Sequence, residues 1–114
     1  MKKVLVVEDE LELLELYDMI LSNDYRVFTT DSGRSAIKIF DTEKPDIIIV
    51  DIKLPDISGI EVTRHAKTIN PKVAIIGISA YRERFKEILD AGANTVLQKP
   101  FLVKDIRKVI AELP

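Results

Sequence analysis

Five polar residues with complementary chemistry follow four strand-like segments of this 114-residue chain. They are Glu8 and Asp9 after the first segment, Asp51 after the second, Ser79 after the third and Lys99 after the fourth. Carboxylate oxygens suit Mg²⁺, which leaves coordination positions open for a phosphate. A carboxylate can also carry a phosphoryl group, whose charge a hydroxyl and an ammonium help to neutralise. The set therefore predicts a magnesium site, with Mn²⁺ as a substitute ion, at which Asp51 accepts a phosphoryl group.

Most of these residues also have an ordinary structural interpretation. Glu8 and Asp9 would favour the N-terminus of a following helix through the helix dipole. A serine after a strand often caps a helix, and Lys99 alone would be an ordinary surface lysine. On general frequency, the bond to Pro100 would be trans. Asp51 is harder to explain structurally, because it follows four apolar residues and begins a loop that contains a proline and a glycine.

Apolar runs alternate with segments of helical period along the chain. Strands are predicted near 4–7, 25–29, 47–50, 73–78 and 95–98, and helices near 10–21, 33–44, 58–69, 85–89 and 102–113. Strict alternation predicts an α/β fold, a doubly wound parallel sheet with five helices on its two faces. Three apolar strands fit the interior and two mixed strands fit the edges, as in the flavodoxin-like order 2-1-3-4-5. Right-handed crossovers would then bring the residues that follow the strands to one rim.

Composition excludes several classes of function. The length suits one domain, predicted to span residues 1–114. The absence of cysteine excludes disulfides and thiol chemistry, and a single histidine argues against histidine-rich metal sites. A net charge of −2 without a basic stripe predicts no nucleic-acid binding by this domain. The first apolar run is too short for a signal sequence or a membrane span, so a cytoplasmic protein without membrane contact is expected.

Together, the motifs resemble those of two-component response-regulator receiver domains over essentially the whole chain. The matching segments are Val-Val-Glu-Asp-Glu at 6–10, Asp-x-x-Leu-Pro-x-x-x-Gly at 51–59, Ser-Ala at 79–80, Gly-Ala at 92–93 and Lys-Pro-Phe at 99–101. The resemblance implies that Asp51 takes a phosphoryl group from a phosphohistidine of a partner. That partner would be a sensor histidine kinase or a histidine phosphotransfer protein. Phosphorylation would shift the domain between two pre-existing states.

The resemblance also implies roles for individual residues. The magnesium ligands would be three acids and one backbone carbonyl, namely Glu8, Asp9, Asp51 and the carbonyl of Lys53. The groups that contact the phosphoryl group would be Ser79 and Lys99, with the Lys99–Pro100 bond in the cis form. A downstream protein target would read the surface formed by the last two helices. The domain would catalyse its own phosphorylation and dephosphorylation and would not convert an external metabolite.

Three residues depart from the family pattern or tune it. Val96 stands where the family usually has an aromatic residue whose rotamer follows the state of Ser79. Because valine cannot swing as a large ring does, output would be read from loop shifts near 79–82 or from the last two helices. Lys53 could reach the phosphoryl group, compete with magnesium or point to solvent. The bulk of Tyr81 could shield the acyl phosphate from water, which predicts slow self-dephosphorylation.

Other functions remain as alternatives. The complete set of site residues argues against a receiver-like interaction domain that works without phosphorylation, while Val96 and Lys53 leave room for it. A magnesium-dependent aspartyl-phosphate hydrolase would need two aspartates two residues apart, where this chain has Glu-Asp-Glu at 8–10, and a cap domain. A flavodoxin-type carrier would need a phosphate loop after the first strand. The end at Pro114 suggests a free-standing module of the chemotaxis or phosphorelay type, or a receiver cut from a longer regulator.

Overall fold

Five parallel strands form one sheet in the computed structural model, which describes residues 1–114. The strands are β1 Lys3–Val7, β2 Arg26–Thr30, β3 Ile47–Asp51, β4 Ala74–Ser79 and β5 Thr95–Gln98. The helices are α1 Leu11–Leu21, α2 Gly33–Glu43, α3 Gly59–Ile69, α4 Phe85–Asp90 and α5 Val103–Ala111. The spatial order β2-β1-β3-β4-β5 confirms the predicted doubly wound α/β topology. None of the helices combines the length and the apolar character needed to cross a bilayer.

Each face of the sheet has its own buried core. Because side chains alternate along a strand, Val4 and Val6 pack under α1 and α5, whereas Leu5 and Val7 pack under α2, α3 and α4. Every residue of β3 and β4 is buried, as expected for interior strands covered on both faces. The edge strands β2 and β5 are partly exposed.

Several element ends differ from the sequence-based prediction by one or two residues. The first helix begins at Leu11 rather than residue 10, because Glu10 keeps an extended backbone with φ −87 and ψ 113. The strand predicted at 73–78 spans Ala74–Ser79, and the last helix is shorter than predicted. The predicted cap Ser32 is confirmed, since its side chain accepts a hydrogen bond from the amide of Ser35 at 3.1 Å.

Helix α4 is fixed to the core by one side chain. Of the three apolar residues whose spacing predicts this helix, only Ile88 is buried, and Leu89 is 42% exposed. Ile88 packs directly on the backbone of β4, because a Cβ atom on Gly77 would lie 2.8 Å from Ile88 Cδ1. The chain leaves α4 through Gly92, whose φ of +120 lies in the region that favours glycine.

The loop between β3 and α3 is bound to the start of α2. The two carboxylate oxygens of Asp56 accept hydrogen bonds from the amides of Gly33 and Arg34, at 2.8 and 2.9 Å. These bonds, first that from Arg34, lower the pKa of Asp56. Ile57 packs against Gly33, where a Cβ atom would lie 2.5 Å from Ile57 Cγ1. The loop that follows Asp51 is therefore held in place by α2.

Candidate functional site

The carboxyl edge of the sheet brings together residues that are far apart in the sequence. Asp51 and Ser79 are the last residues of β3 and β4, while Glu8 and Lys99 directly follow β1 and β5. Glu8, Asp51 and Ser79 are buried, with 1%, 6% and 4% of their surface exposed. Glu8 and Asp51 continue the alternation of the strand residues that face α1 and α5. Their side chains therefore lie on the same side of the sheet.

Lys99 is the cation at the centre of this site. Its ammonium Nζ lies 2.5 Å from Asp51 Oδ2, 2.8 Å from Glu8 Oε1 and 3.1 Å from Glu10 Oε2. The other carboxylate oxygen of Asp51, Oδ1, accepts a hydrogen bond from the amide of Lys53 at 3.0 Å. Both oxygens of Asp51 therefore have a donor, and its side chain is fixed in orientation.

Burial and pairing act in opposite directions on the charges of this site. Burial raises the pKa of Glu8 to about 7, because the loss of hydration outweighs the attraction of Lys99. Burial alone would lower the pKa of Lys99, but its contacts with the carboxylates of Asp51 and Glu8 raise it above its ordinary value. Lys99 is therefore a firmly protonated cation beside an acid that holds its proton unusually tightly.

The acidic residues fit a hard divalent cation. Carboxylate oxygens of Glu8, Asp9 and Asp51 lie within 4.8 Å of one another. Glu8 Oε1 is buried and touches Lys99 Nζ, but no donor is aligned to form a hydrogen bond with it. Glu8 Oε1 therefore has an ion-pair contact but no hydrogen-bond donor. Asp9 is exposed, so the cluster is open to solvent on one side. Carboxylates with an open side are what Mg²⁺ prefers.

The hydroxyl of Ser79 is directed to the loop after β4. Ser79 Oγ accepts a hydrogen bond from the amide of Tyr81 at 2.9 Å and donates one to the Tyr81 carbonyl at 3.2 Å. The backbone carbonyl of Ser79 accepts a hydrogen bond from the amide of Lys99 at 3.0 Å, which fixes the two residues side by side. The Lys99–Pro100 peptide bond is cis.

This edge, with a buried aspartate surrounded by two further acids, a lysine and a serine, has a counterpart among known proteins. Residues 4–111 match the family described as the response regulator receiver domain. The chain belongs to the response regulator receiver domain family. Receiver domains are signalling domains of two-component systems rather than metabolic enzymes.

Known relatives of this receiver domain differ in length. Sporulation initiation phosphotransferase F of Bacillus subtilis is 30% identical over 112 residues, which cover 96% of this chain and 90% of that protein. The alkaline phosphatase synthesis transcriptional regulatory protein PhoP of the same organism is 35% identical over 108 residues. That match covers 92% of this chain but only 45% of the regulator, so this chain spans about half of the longer relative.

A solved receiver domain has the same fold. It belongs to the sensor histidine kinase PA1611 of Pseudomonas aeruginosa PAO1 and superposes with a TM-score of 0.88 at 26% identity, over 98% of this chain and 96% of that one. Its crystal structure has a magnesium ion coordinated in the active site cleft.

Three residues that were expected to modify the family pattern differ in how far they are buried. They are Val96, Lys53 and Tyr81. Val96 is half-buried in β5 and packs against the core under α2, α3 and α4. Lys53 is exposed and forms no ion pair, since no carboxylate oxygen lies within 4.0 Å of its ammonium. Tyr81 is 55% exposed directly after the Ser79 turn. Only Val96 therefore contributes to a packed core.

Two residues near the site were missed by sequence reasoning. Glu10 binds Lys99, and the run of three acids after β1 was the available signal. Tyr17 is 1% exposed, and its hydroxyl has no hydrogen-bond partner. Burial, followed by the charges of Glu8, Asp51 and Glu10, raises the pKa of Tyr17. No sequence pattern distinguishes this tyrosine from an ordinary core residue of an amphipathic helix.

Proposed function

We propose that this receiver domain accepts a phosphoryl group on Asp51 from a phosphohistidine of a kinase or phosphotransfer protein. The observation that carries the proposal is the position of Asp51, buried between two further acids and a lysine whose ammonium it contacts. A buried carboxylate that only stabilised the fold would need the lysine but not the two acids. The similarity to a phosphotransferase over 90% of that protein supports the same function.

Glu8, Asp9, Asp51 and the backbone carbonyl of Lys53 would hold Mg²⁺ in this proposal. The ion would supply positive charge next to the transferred phosphoryl group. The buried Glu8 Oε1, which has no hydrogen-bond donor, supports this set of ligands, as does the magnesium ion in the cleft of the related Pseudomonas receiver domain.

In the transfer step, a carboxylate oxygen of Asp51 attacks the phosphorus atom. The phosphorus–nitrogen bond to the donor histidine breaks as the new phosphorus–oxygen bond forms, and the imidazole leaves with the electron pair. Lys99 stands beside Asp51 Oδ2 and would contact a phosphoryl oxygen. Positioned charges of this kind provide most of the catalysis in phosphoryl transfer.

Ser79 would connect the phosphoryl group to the output loop. Its hydroxyl now donates to the carbonyl of Tyr81 and would turn to donate to a phosphoryl oxygen instead. The carbonyl of Tyr81 would then lose this donor, and the loop before α4 would move. Because Val96 has no ring to follow this change, the moving loop and the last two helices would present the signal to a downstream protein.

Intact mass after incubation with magnesium and acetyl phosphate tests the proposal. We expect one phosphoryl adduct that is absent from Asp51→Asn and absent when magnesium is removed. Asp90→Asn is the matched control, because Asp90 is an exposed aspartate paired with Lys86, and it should be modified like the wild type. No adduct from acetyl phosphate or from a phosphorylated histidine donor, together with no magnesium binding, would favour the phosphorylation-independent interaction domain.

A further inference from the structure

The loop between β3 and α3 has few hydrogen bonds of its own. No amide or carbonyl of residues 53–57 takes part in a hydrogen bond between two backbone groups. The loop is fixed at its start, where the amide of Ile52 donates to the carbonyl of Ile78 at 2.9 Å. It is fixed again at its end, where the amide of Gly59 donates to the carbonyl of Ile52 at 2.8 Å. Between these two points, the position of the backbone depends on side-chain contacts.

The carboxylate of Asp56 is the only polar group of residues 53–57 that binds a residue more than two positions away in the sequence. Its two oxygens accept hydrogen bonds from the amides of Gly33 and Arg34, the first two residues of α2. Amides in the first turn of a helix have no carbonyl partner within that helix. The helix dipole also favours a negative charge at this end. Asp56 therefore binds the loop to α2 through donors that α2 cannot satisfy alone.

The side chain of Arg34 contributes little to this attachment. Its Nε lies 3.9 Å from Asp56 Oδ2, and the side chain is 74% exposed. Exposed ion pairs of this kind contribute little energy, because water screens the charges and both side chains must be ordered. The backbone amides of α2, rather than the guanidinium, therefore hold the carboxylate.

The same loop carries the backbone carbonyl that is proposed to bind magnesium. This carbonyl belongs to Lys53, three residues before Asp56, and the amide of Lys53 donates to Asp51 Oδ1 at 3.0 Å. The carbonyl itself accepts no hydrogen bond from another backbone group, and the side chain of Lys53 is exposed. The conformation of the loop therefore determines where this carbonyl lies.

We propose that Asp56 is a positioning residue for the metal site, because its bonds to α2 hold the Lys53 carbonyl in place for Mg²⁺. This inference rests on the proposed magnesium site. Both oxygens of Asp56 are bound to α2, so the residue acts through the loop and not as a ligand. Without this attachment, binding of the ion would have to order the loop, and the lost conformational freedom would weaken the affinity.

Calorimetric titration with Mg²⁺ tests the role of Asp56. Asp56→Ala removes both bonds to α2 and should weaken magnesium binding about tenfold, as is common for residues that orient metal ligands. Asp56→Asn should restore part of the affinity, because its amide oxygen can still accept a hydrogen bond from α2 while its NH₂ group cannot. Arg34→Gln keeps the backbone amide and should bind magnesium like the wild type.

Ser32→Ala separates positioning from stability. Ser32 caps the same helix from within the helix sequence, by accepting a hydrogen bond from the amide of Ser35 at 3.1 Å. Both Ser32→Ala and Asp56→Ala should lower stability in urea unfolding, but only Asp56→Ala should weaken magnesium binding. Equal magnesium affinities in the wild type and Asp56→Ala overturn the inference alone, as does a Ser32→Ala variant that loses as much affinity. A wild type that binds no magnesium overturns the proposed metal site and this inference with it.

Discussion

The ammonium of Lys99 lies 2.5 Å from Asp51 Oδ2, although 48 residues separate the two in the chain. The same ammonium contacts Glu8 and Glu10, so one cation serves three carboxylates. Removing one partner of a buried ion pair normally leaves an uncompensated charge. A divalent cation that enters this site would therefore compete with Lys99 for the carboxylates of Glu8 and Asp51.

Replacing Lys99 by alanine should change phosphorylation and metal binding in opposite directions. Without a cation beside Asp51, the rate of phosphorylation by acetyl phosphate should fall roughly 100-fold. Mg²⁺ should bind more tightly, because the competing ammonium is gone and three acids remain. Intact mass measures the first change and calorimetric titration the second. Lys86→Ala, which removes an exposed lysine paired with Asp90, should alter neither. Weaker magnesium binding in Lys99→Ala would contradict the competition between the two cations.

Glu8 should contribute less to the stability of the metal-free protein at neutral pH than at acidic pH. Its pKa is raised from 4.5 to about 7 in the fold, so the native state holds this proton more tightly than the unfolded chain does. Its contribution to the free energy of unfolding therefore falls as pH rises from 4.5 to about 7, and the full penalty remains above that range.

The variant Glu8→Gln in metal-free buffer tests the direction of this pH dependence of stability. The variant should be more stable than the wild type at about pH 8, by about 1 to 3 kcal/mol, and equally stable at the acidic end. Urea unfolding at the two pH values measures the difference. Glu12→Gln, an exposed change on α1, should show no such dependence. A Glu8→Gln variant that is less stable at both pH values would mean that the ion pair with Lys99 outweighs burial.

Tyr81 should slow the loss of phosphate from Asp51. The side chain is bulky, stands two residues after Ser79 and is 55% exposed, so it can cover the acyl phosphate without being part of the core. Tyr81→Ala should therefore shorten the phosphate lifetime several-fold without changing stability. Phosphate release after removal of the donor measures the lifetime. Leu89→Ala is a matched control at another partly exposed side chain, on α4. Equal lifetimes in the wild type and Tyr81→Ala would disprove shielding.

Gly77 should tolerate no side chain while Ile88 is present. A Cβ atom at Gly77 would lie 2.8 Å from Ile88 Cδ1, so Gly77→Ala should lower the free energy of unfolding by about 1 to 3 kcal/mol. Ile88→Val removes that Cδ1 methyl group and alone should cost about 1 kcal/mol. The double variant should be more stable than the sum of the two losses predicts, because the residues share one contact. Strictly additive losses in chemical unfolding would show that the two residues do not touch.

The topology was predictable because each interior strand is a continuous apolar run. Such runs as Ile47–Val50 need cover on both faces, and only a parallel sheet between two helical layers provides it. The fourth helix was less predictable. Its period of apolar residues included Leu89, which is largely exposed, because a helix of six residues has room for one buried position above Gly77. Periodicity shows that a helix exists but not how deeply each residue packs.

The candidate site was predictable in its residues but not in its contacts. Strand ends alone place Glu8, Asp51 and Ser79 on one rim, since parallel strands end together. The bond from Lys99 to Glu10 depends on the rotamer of a long side chain, and the turn of the Ser79 hydroxyl toward Tyr81 depends on the loop geometry. Neither is encoded in residue spacing.

The contact between Ile88 and Gly77 is the single buried anchor point of α4. Because Ile88 is the one buried side chain of α4, a rotation of the helix about this contact would expose no other buried side chain. Gly77 lies two residues before Ser79 on the same strand, so a displacement at the end of β4 would reach the contact with Ile88 through extended backbone. A shift there would change the orientation of the exposed side chains of α4, such as Leu89.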